Sequence, residues 1–163
     1  MWEKPWKVKE AIAIGAGLVI TGILLQFCVG AVNWSLFAFP VNVVVLVALL
    51  LLVACGYAFS NRVYVLEFLV SGSSAIASIG YAATLTVVMG LVPQSAHPSG
   101  EVFGITNMLS WWPFVLVYFW LTLIVGIVGL RHAVLLVRGK KRSLATLLSH
   151  VGLFVAIVCS TLG

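Results

Sequence analysis

The sequence predicts an all-α membrane protein, a polytopic helical bundle of about five transmembrane helices with its N-terminus inside and its C-terminus outside. Composition is the first reason, because the 163 residues are 63% hydrophobic and 8% charged, whereas a soluble domain carries roughly 25% charged residues. The distribution of charge is the second reason. All nine Lys and Arg residues can be placed on one side of a membrane, and basic residues near helix ends are retained on the cytoplasmic side.

The basic residues fall in three segments of the chain. The two connections between them, 33–40 and 93–107, contain no Lys or Arg. Basic and non-basic connections therefore alternate, as expected when the chain crosses a membrane between one connection and the next. The basic residues are Lys4, Lys7, Lys9, Arg62, Arg131, Arg138, Lys140, Lys141 and Arg142.

Each predicted span is a stretch of about 20 apolar residues, the length that crosses roughly 30 Å of hydrocarbon. The spans are residues 11–32, 41–59, 68–92, 108–130 and 144–162. Together they predict a single transmembrane domain over 1–163 with no soluble domain. We expect the chain to be the membrane part of something longer, truncated at its C-terminus, because the fifth span stops as it reaches the outer aqueous phase.

The third span differs from the others in its side chains. Between Ser71 and Thr86 it is rich in Ser, Gly, Ala and Thr. Small and hydroxyl-bearing residues allow helices to approach one another closely in lipid. We therefore expect the third span to lie at the centre of the bundle, with the first and second spans at its periphery.

The charged and thiol side chains do not indicate a self-contained active site. Of the four carboxylates, Glu3, Glu10 and Glu67 fall at the predicted inner side and Glu101 falls outside, so no two share a membrane-embedded site. The three cysteines lie within apolar spans and form no CxxC pair, which argues against a redox motif or a thiolate metal site. The scattered basic residues do not resemble a nucleic-acid interface. We do not expect the chain to be an enzyme alone.

His150 is the strongest candidate for a functional side chain within the predicted spans. Apart from Cys and Tyr, it is the only ionisable side chain within a predicted span, and such residues are candidates for function. Neutral imidazole is an axial ligand of haem iron, so one interpretation is that His150 binds haem. The other interpretation is that His150 hydrogen-bonds a carbonyl or hydroxyl group of a neighbouring helix.

Three further residues are candidates for binding the same cofactor. His132 ends the fourth span and could approach His150 in an antiparallel hairpin, or it is an interfacial residue beside Arg131. His97 lies in the outer loop and is either an exposed loop residue or a transient ligand. Trp120 lies deeper than the other Trp residues of its span, where it could pack on a partner helix or on a flat ligand.

Four short sequence elements follow one another from the end of the third span to the fifth span. The third span ends in Pro93-Gln94, and the fourth begins with the aromatic-led segment 109–114 (LSWWPF) and ends in 129–132 (GLRH). The fifth span then carries the His-led segment 150–154 (HVGLF). In this order and spacing, residues 68–163 resemble the ResB/CcsB family, the membrane components of system II cytochrome c biogenesis.

The resemblance implies a function in the bacterial inner membrane. With a CcsA/ResC-like partner, such proteins carry haem across the bilayer and present it for attachment to apocytochrome c. A membrane His of the ResB half, matched here by His150, is then an axial haem ligand.

Two other functions remain open. One is a non-catalytic structural subunit or assembly scaffold without a ligand, in which His150 is a packing residue. The other is a small-molecule transporter, which is disfavoured because paired intramembrane charges and an inverted repeat are not evident.

Overall fold

The computed structural model describes residues 6–60, 62–95, 104–139 and 144–162. In these ranges every regular element is a helix and there is no strand. Five of the helices are long and apolar enough to cross a membrane. The all-α helical fold and the multi-pass membrane character are therefore confirmed, while the direction in which the chain is inserted stays a prediction.

The helices follow closely, but not everywhere, the spans expected from hydropathy. In chain order they are α1 (Val8–Val29), α2 (Val41–Phe59), α3 (Tyr64–Leu69), α4 (Gly72–Leu91), α5 (Trp112–Val137) and α6 (Leu144–Leu162). Two short 3-10 helices, Trp34–Phe37 and Ile105–Ser110, follow α1 and α4. The bounds of α2 and α6 are those expected from the sequence.

The first and fourth spans are displaced along the chain, and glycines explain where two of the helices end. α1 stops before Gly30, which has φ +83° while its N–H still bonds the carbonyl of Gln26 at 3.0 Å. α5 continues past residue 130 and stops before Gly139, which also has φ +83°. Glycine adopts this conformation without strain. As a consequence, His132 lies inside α5 rather than at its end.

The third predicted span is broken near its start. Residues 68–71 belong to α3 and a bend, and α4 begins only at Gly72. The N–H of Ser71 bonds the carbonyl of Phe68 at 2.9 Å, a tight turn that separates the two helices. Phe68 is 4% exposed, so the short helix α3 is anchored by a buried ring.

The chain forms two compact units. The first consists of residues up to 34 and 72–121, and it contains α1, α4 and the first part of α5. The second consists of residues 35–71 and 122–163, and it contains α2, α3, α6 and the remainder of α5. The single transmembrane domain expected from the sequence stays a prediction, and each unit is described below by itself.

The most buried helix is α5, followed by α4 of the third predicted span. Of the most apolar stretch of each helix, 61% is buried in α5 and 28% in α4, against 17% in α1 and 11% in both α2 and α6. α4 is thus more buried than α1 and α2, which is the order expected from the sequence, and the central position of the third span stays a prediction. α4 buries one narrow stripe (Ser74, Ala77, Ser78 and Ala82) and leaves its larger residues Ile76, Ile79 and Val87 exposed.

Candidate functional site

His150 lies in the second turn of α6, inside an apolar helix of the second unit. Its Nδ1 is 2.7 Å from the backbone carbonyl oxygen of Thr146, one turn earlier in the same helix. A carbonyl oxygen only accepts, so Nδ1 carries the proton and donates it. The neutral ring then has its lone pair on Nε2, and ligating histidines in metalloproteins are oriented in the same way, by a hydrogen bond from the other ring nitrogen.

His132 is the residue that the structure brings to His150. The two ring centroids are 5.8 Å apart and the ring planes are inclined by 41°. His132 comes from α5 and His150 from α6, and both belong to the second unit. Both side chains are half-buried. The approach of these two residues across a hairpin, one of the two interpretations of His132, is thus present in the structure.

A close approach of α5 to α6 positions the pair. A Cβ atom added at Gly129 would lie 3.5 Å from the Cβ of His150, in van der Waals contact. Gly129 and His132 are three residues apart on α5, hence on neighbouring parts of one helix face. α5 and α6 therefore approach each other closely at Gly129, beside the place where the two imidazoles meet.

Two more glycines pack the same unit. A Cβ added at Gly126 would lie 2.8 Å from Cγ2 of Val53 and 2.9 Å from Cε2 of Phe154. A Cβ at Gly56 of α2 would lie 2.7 Å from Cδ1 of Ile127. Helices in lipid associate through such small residues. They hold α2, α5 and α6 in a fixed arrangement around the histidine pair.

Trp120 and the histidine pair belong to different compact units. Trp120 belongs to the first unit, is 4% exposed, and its Nε1 makes no hydrogen bond to any residue that the structure describes. Its assignment to a flat ligand stays a prediction. His97 lies outside the described residues, and its assignment as a ligand stays a prediction as well.

Two glutamines organise the first unit: Gln94, which belongs to the PQ element, and Gln26, which the sequence analysis did not single out. Gln26 is 8% exposed, and its Oε1 accepts a hydrogen bond from the N–H of Trp112 at 3.4 Å. Trp112 in turn donates from Nε1 to the carbonyl of Gly30 at 2.8 Å. The end of α1 is thereby tied to the beginning of α5. A glutamine inside an apolar span was the signal that could have found the first of these contacts.

Gln94, half of the PQ element, has a structural function of its own. Its Nε2 donates to the carbonyls of Met89, Val92 and Ile105 at 3.3, 3.0 and 3.3 Å. Its Oε1 accepts from the N–H of Met108 at 3.0 Å. Gln94 therefore satisfies carbonyls at the C-terminal end of α4 and joins that end to the 3-10 helix Ile105–Ser110.

Other chemistry is not indicated in the described parts of the chain. No group of three or more His, Cys, Asp or Glu that could hold a metal ion occurs within residues 6–60, 62–95, 104–139 and 144–162. Cys28, Cys55 and Cys159 are free thiols on exposed positions. Such positions on apolar helices face lipid or another helix.

By fold, the molecule belongs to the class of polytopic α-helical membrane proteins, and its best candidate site is the pair His132–His150. No protein-family model matches the sequence, and comparisons with curated proteins and with solved structures found no match.

Proposed function

We propose that this chain is a ResB-like subunit of cytochrome c biogenesis that handles haem in the bacterial inner membrane together with a CcsA/ResC-like partner. In this function His150 is an axial ligand of the haem iron, and apocytochrome c is the final acceptor. The chain is not catalytic alone, because the attachment reaction belongs to the assembled complex.

The observation that carries the proposal is the hydrogen bond that orients the His150 ring. Its Nδ1 is engaged by the Thr146 carbonyl, which leaves Nε2 as the nitrogen that can coordinate a metal. Iron coordination would use the lone pair of Nε2, and the orienting hydrogen bond is already in place. Haem would supply the iron, and His150 would hold it.

The packing of α5 against α6 limits how haem can be held. Because Gly129 and His150 are in contact, the two backbones leave no room for a macrocycle between them at this level. The proposal therefore does not use His132 as a second ligand of the same iron. A group outside the α5–α6 pair, supplied by the partner subunit, would complete the binding of haem.

The order of sequence elements supports the same function. The PQ element, the aromatic-led start of α5 and the His-led segment of α6 occur as in the ResB/CcsB family. Gln94 and Trp112 also make structural hydrogen bonds, so these two residues support the fold of the proposed subunit and are not assigned to haem.

A structural scaffold without a ligand is the alternative function. It is favoured by one observation, namely that His150 already packs against Gly129 and the His132 ring. In that case the imidazole pair serves only to join α5 and α6, and no haem is bound.

The test is the haem content of the chain co-expressed and purified with a CcsA/ResC-like partner. We expect His150→Ala to remove or strongly shift the Soret absorbance, while His132→Ala and His97→Ala retain it. Ser149→Ala, next to His150 on the exposed side of α6, is the matched control for folding. If His150→Ala leaves the spectrum unchanged and either other His variant abolishes it, the ligand is assigned to the wrong residue. If all variants keep the haem of the complex, the scaffold function is correct.

A further inference from the structure

We infer that His132 and His150 together form a binding site for a single copper(I) ion in the haem-free chain, where copper would occupy the same Nε2 of His150 that the proposed function assigns to haem iron. The inference goes beyond the proposed function, since it concerns a bare metal ion and both histidines. It depends on geometry within the second unit alone.

The distance between the rings fits one shared ion. A metal–nitrogen bond to His is about 2.0 Å long, so two imidazoles bound on opposite sides of an ion have centroids roughly 6 Å apart. The observed separation is 5.8 Å. The tautomer of His150 is also suitable, because the Nδ1 hydrogen bond to Thr146 leaves Nε2 as the donor atom.

The close contact between α5 and α6 favours a single ion over a larger ligand at this site. With Gly129 close to His150, the two rings lie beside a close approach of α5 to α6. A single ion needs no separation of α5 from α6. The helix contact limits the movement of both Cα atoms, and the hydrogen bond to Thr146 holds the His150 ring. Only the His132 ring then needs to rotate to coordinate, so little ordering entropy is lost on binding.

Two imidazole nitrogens as the only proposed ligands favour copper(I) among the transition metals. Imidazole suits Zn, Cu, Fe and Ni, and the choice among them depends on geometry and ligand number. Structural zinc sites use four ligands and catalytic ones three, but no third His, Cys, Asp or Glu joins the pair among the described residues. Two neutral nitrogens match the linear coordination that monovalent copper accepts. A monovalent ion also adds the smallest charge to an apolar helix pair that already has Arg131 beside His132.

The test uses the purified, haem-free full-length chain in detergent, titrated with copper(I) without oxygen against a chromophoric copper(I) chelator. We expect one tightly bound ion per chain, and X-ray absorption should show nitrogen ligands without sulfur. His132→Ala and His150→Ala should each weaken binding by at least about 10-fold. Replacing all three cysteines by Ser, and His97→Ala, should each leave the affinity unchanged, which excludes thiol and loop sites.

Three results would overturn the inference: loss of copper binding in the cysteine-free variant, unchanged affinity in His132→Ala, or zinc binding without copper(I) binding. His132→Gln and His150→Gln repeat the test if an Ala variant does not fold. Its failure is distinguishable from that of the haem proposal, because His132→Ala affects copper alone whereas only His150 is needed for haem.

Discussion

Gly129 of α5 lies directly against His150 of α6, with only 3.5 Å between the Cβ of His150 and the position of a Cβ at Gly129. This contact brings the ring of His132 to the ring of His150, since His132 follows Gly129 by one turn of the same helix. The helix contact and the pair of imidazoles, on which both proposals depend, thus belong to one packing arrangement of α5 and α6.

The direction of insertion leads to the first prediction. In a background with Cys28, Cys55 and Cys159 replaced by Ser, a single cysteine at position 99 should react with a membrane-impermeant maleimide from outside. A cysteine at position 143 should react only after the membrane is opened, because the positive-inside rule places the basic loop 138–142 in the cytoplasm. Labelling of position 143 in intact cells would show that the orientation is reversed.

The second prediction concerns helix packing at Gly126. In Gly126→Ala the new methyl group would meet Val53 and Phe154 at 2.8 and 2.9 Å, and overpacking of this kind costs about 1–3 kcal/mol. Thermal unfolding of the detergent-solubilised chain should therefore occur at a lower temperature.

Gly152→Ala is the matched control for that measurement. No atom lies within 4 Å of a Cβ at Gly152, so the gain in helix propensity, up to about 1 kcal/mol, is not opposed by a clash. Equal destabilisation by the two substitutions would contradict the close approach of α5 to α2 and α6.

Gln94 leads to the third prediction. Gln94→Ala removes the acceptor for the N–H of Met108, a residue that is fully buried. The lost hydrogen bond is worth about 1 kcal/mol, or roughly a fivefold faster amide exchange at Met108. Thr84→Ala on α4 is the control, because the Thr84 hydroxyl bonds only the carbonyl of Gly80 in its own helix. No change at Met108 would mean that Gln94 does not join the two elements.

The fourth prediction concerns a hydroxyl pair between α4 and α5 in the first unit. The oxygens of Thr86 and Tyr118 are 2.6 Å apart, and Thr86 already donates to the carbonyl of Ala82, so Tyr118 is the donor. The Tyr118 ring also stacks on Phe114, with centroids 4.3 Å apart. A double-mutant cycle with Thr86→Val and Tyr118→Phe should give a coupling of about 0.6 kcal/mol. Strictly additive effects would exclude the hydrogen bond.

The sequence by itself determined the number and the type of the membrane helices and, for α2 and α6, their bounds. It could do so because hydropathy and basic flanking residues are properties of contiguous residues, and the length of an apolar stretch is what a bilayer requires. His150 was also recognisable in this way, as an ionisable group within an apolar stretch.

Only the tertiary structure decided which helix is most buried, which glycines are in close contact and which histidines meet. Gly17 and Gly126 look alike in the sequence, yet a Cβ at Gly17 would meet nothing within 4 Å whereas one at Gly126 would collide with two side chains. Likewise, His132 is near His150 because of the contact at Gly129. The reason is physical: packing contacts join residues that are distant along the chain, and no local pattern records the partner against which a face is buried.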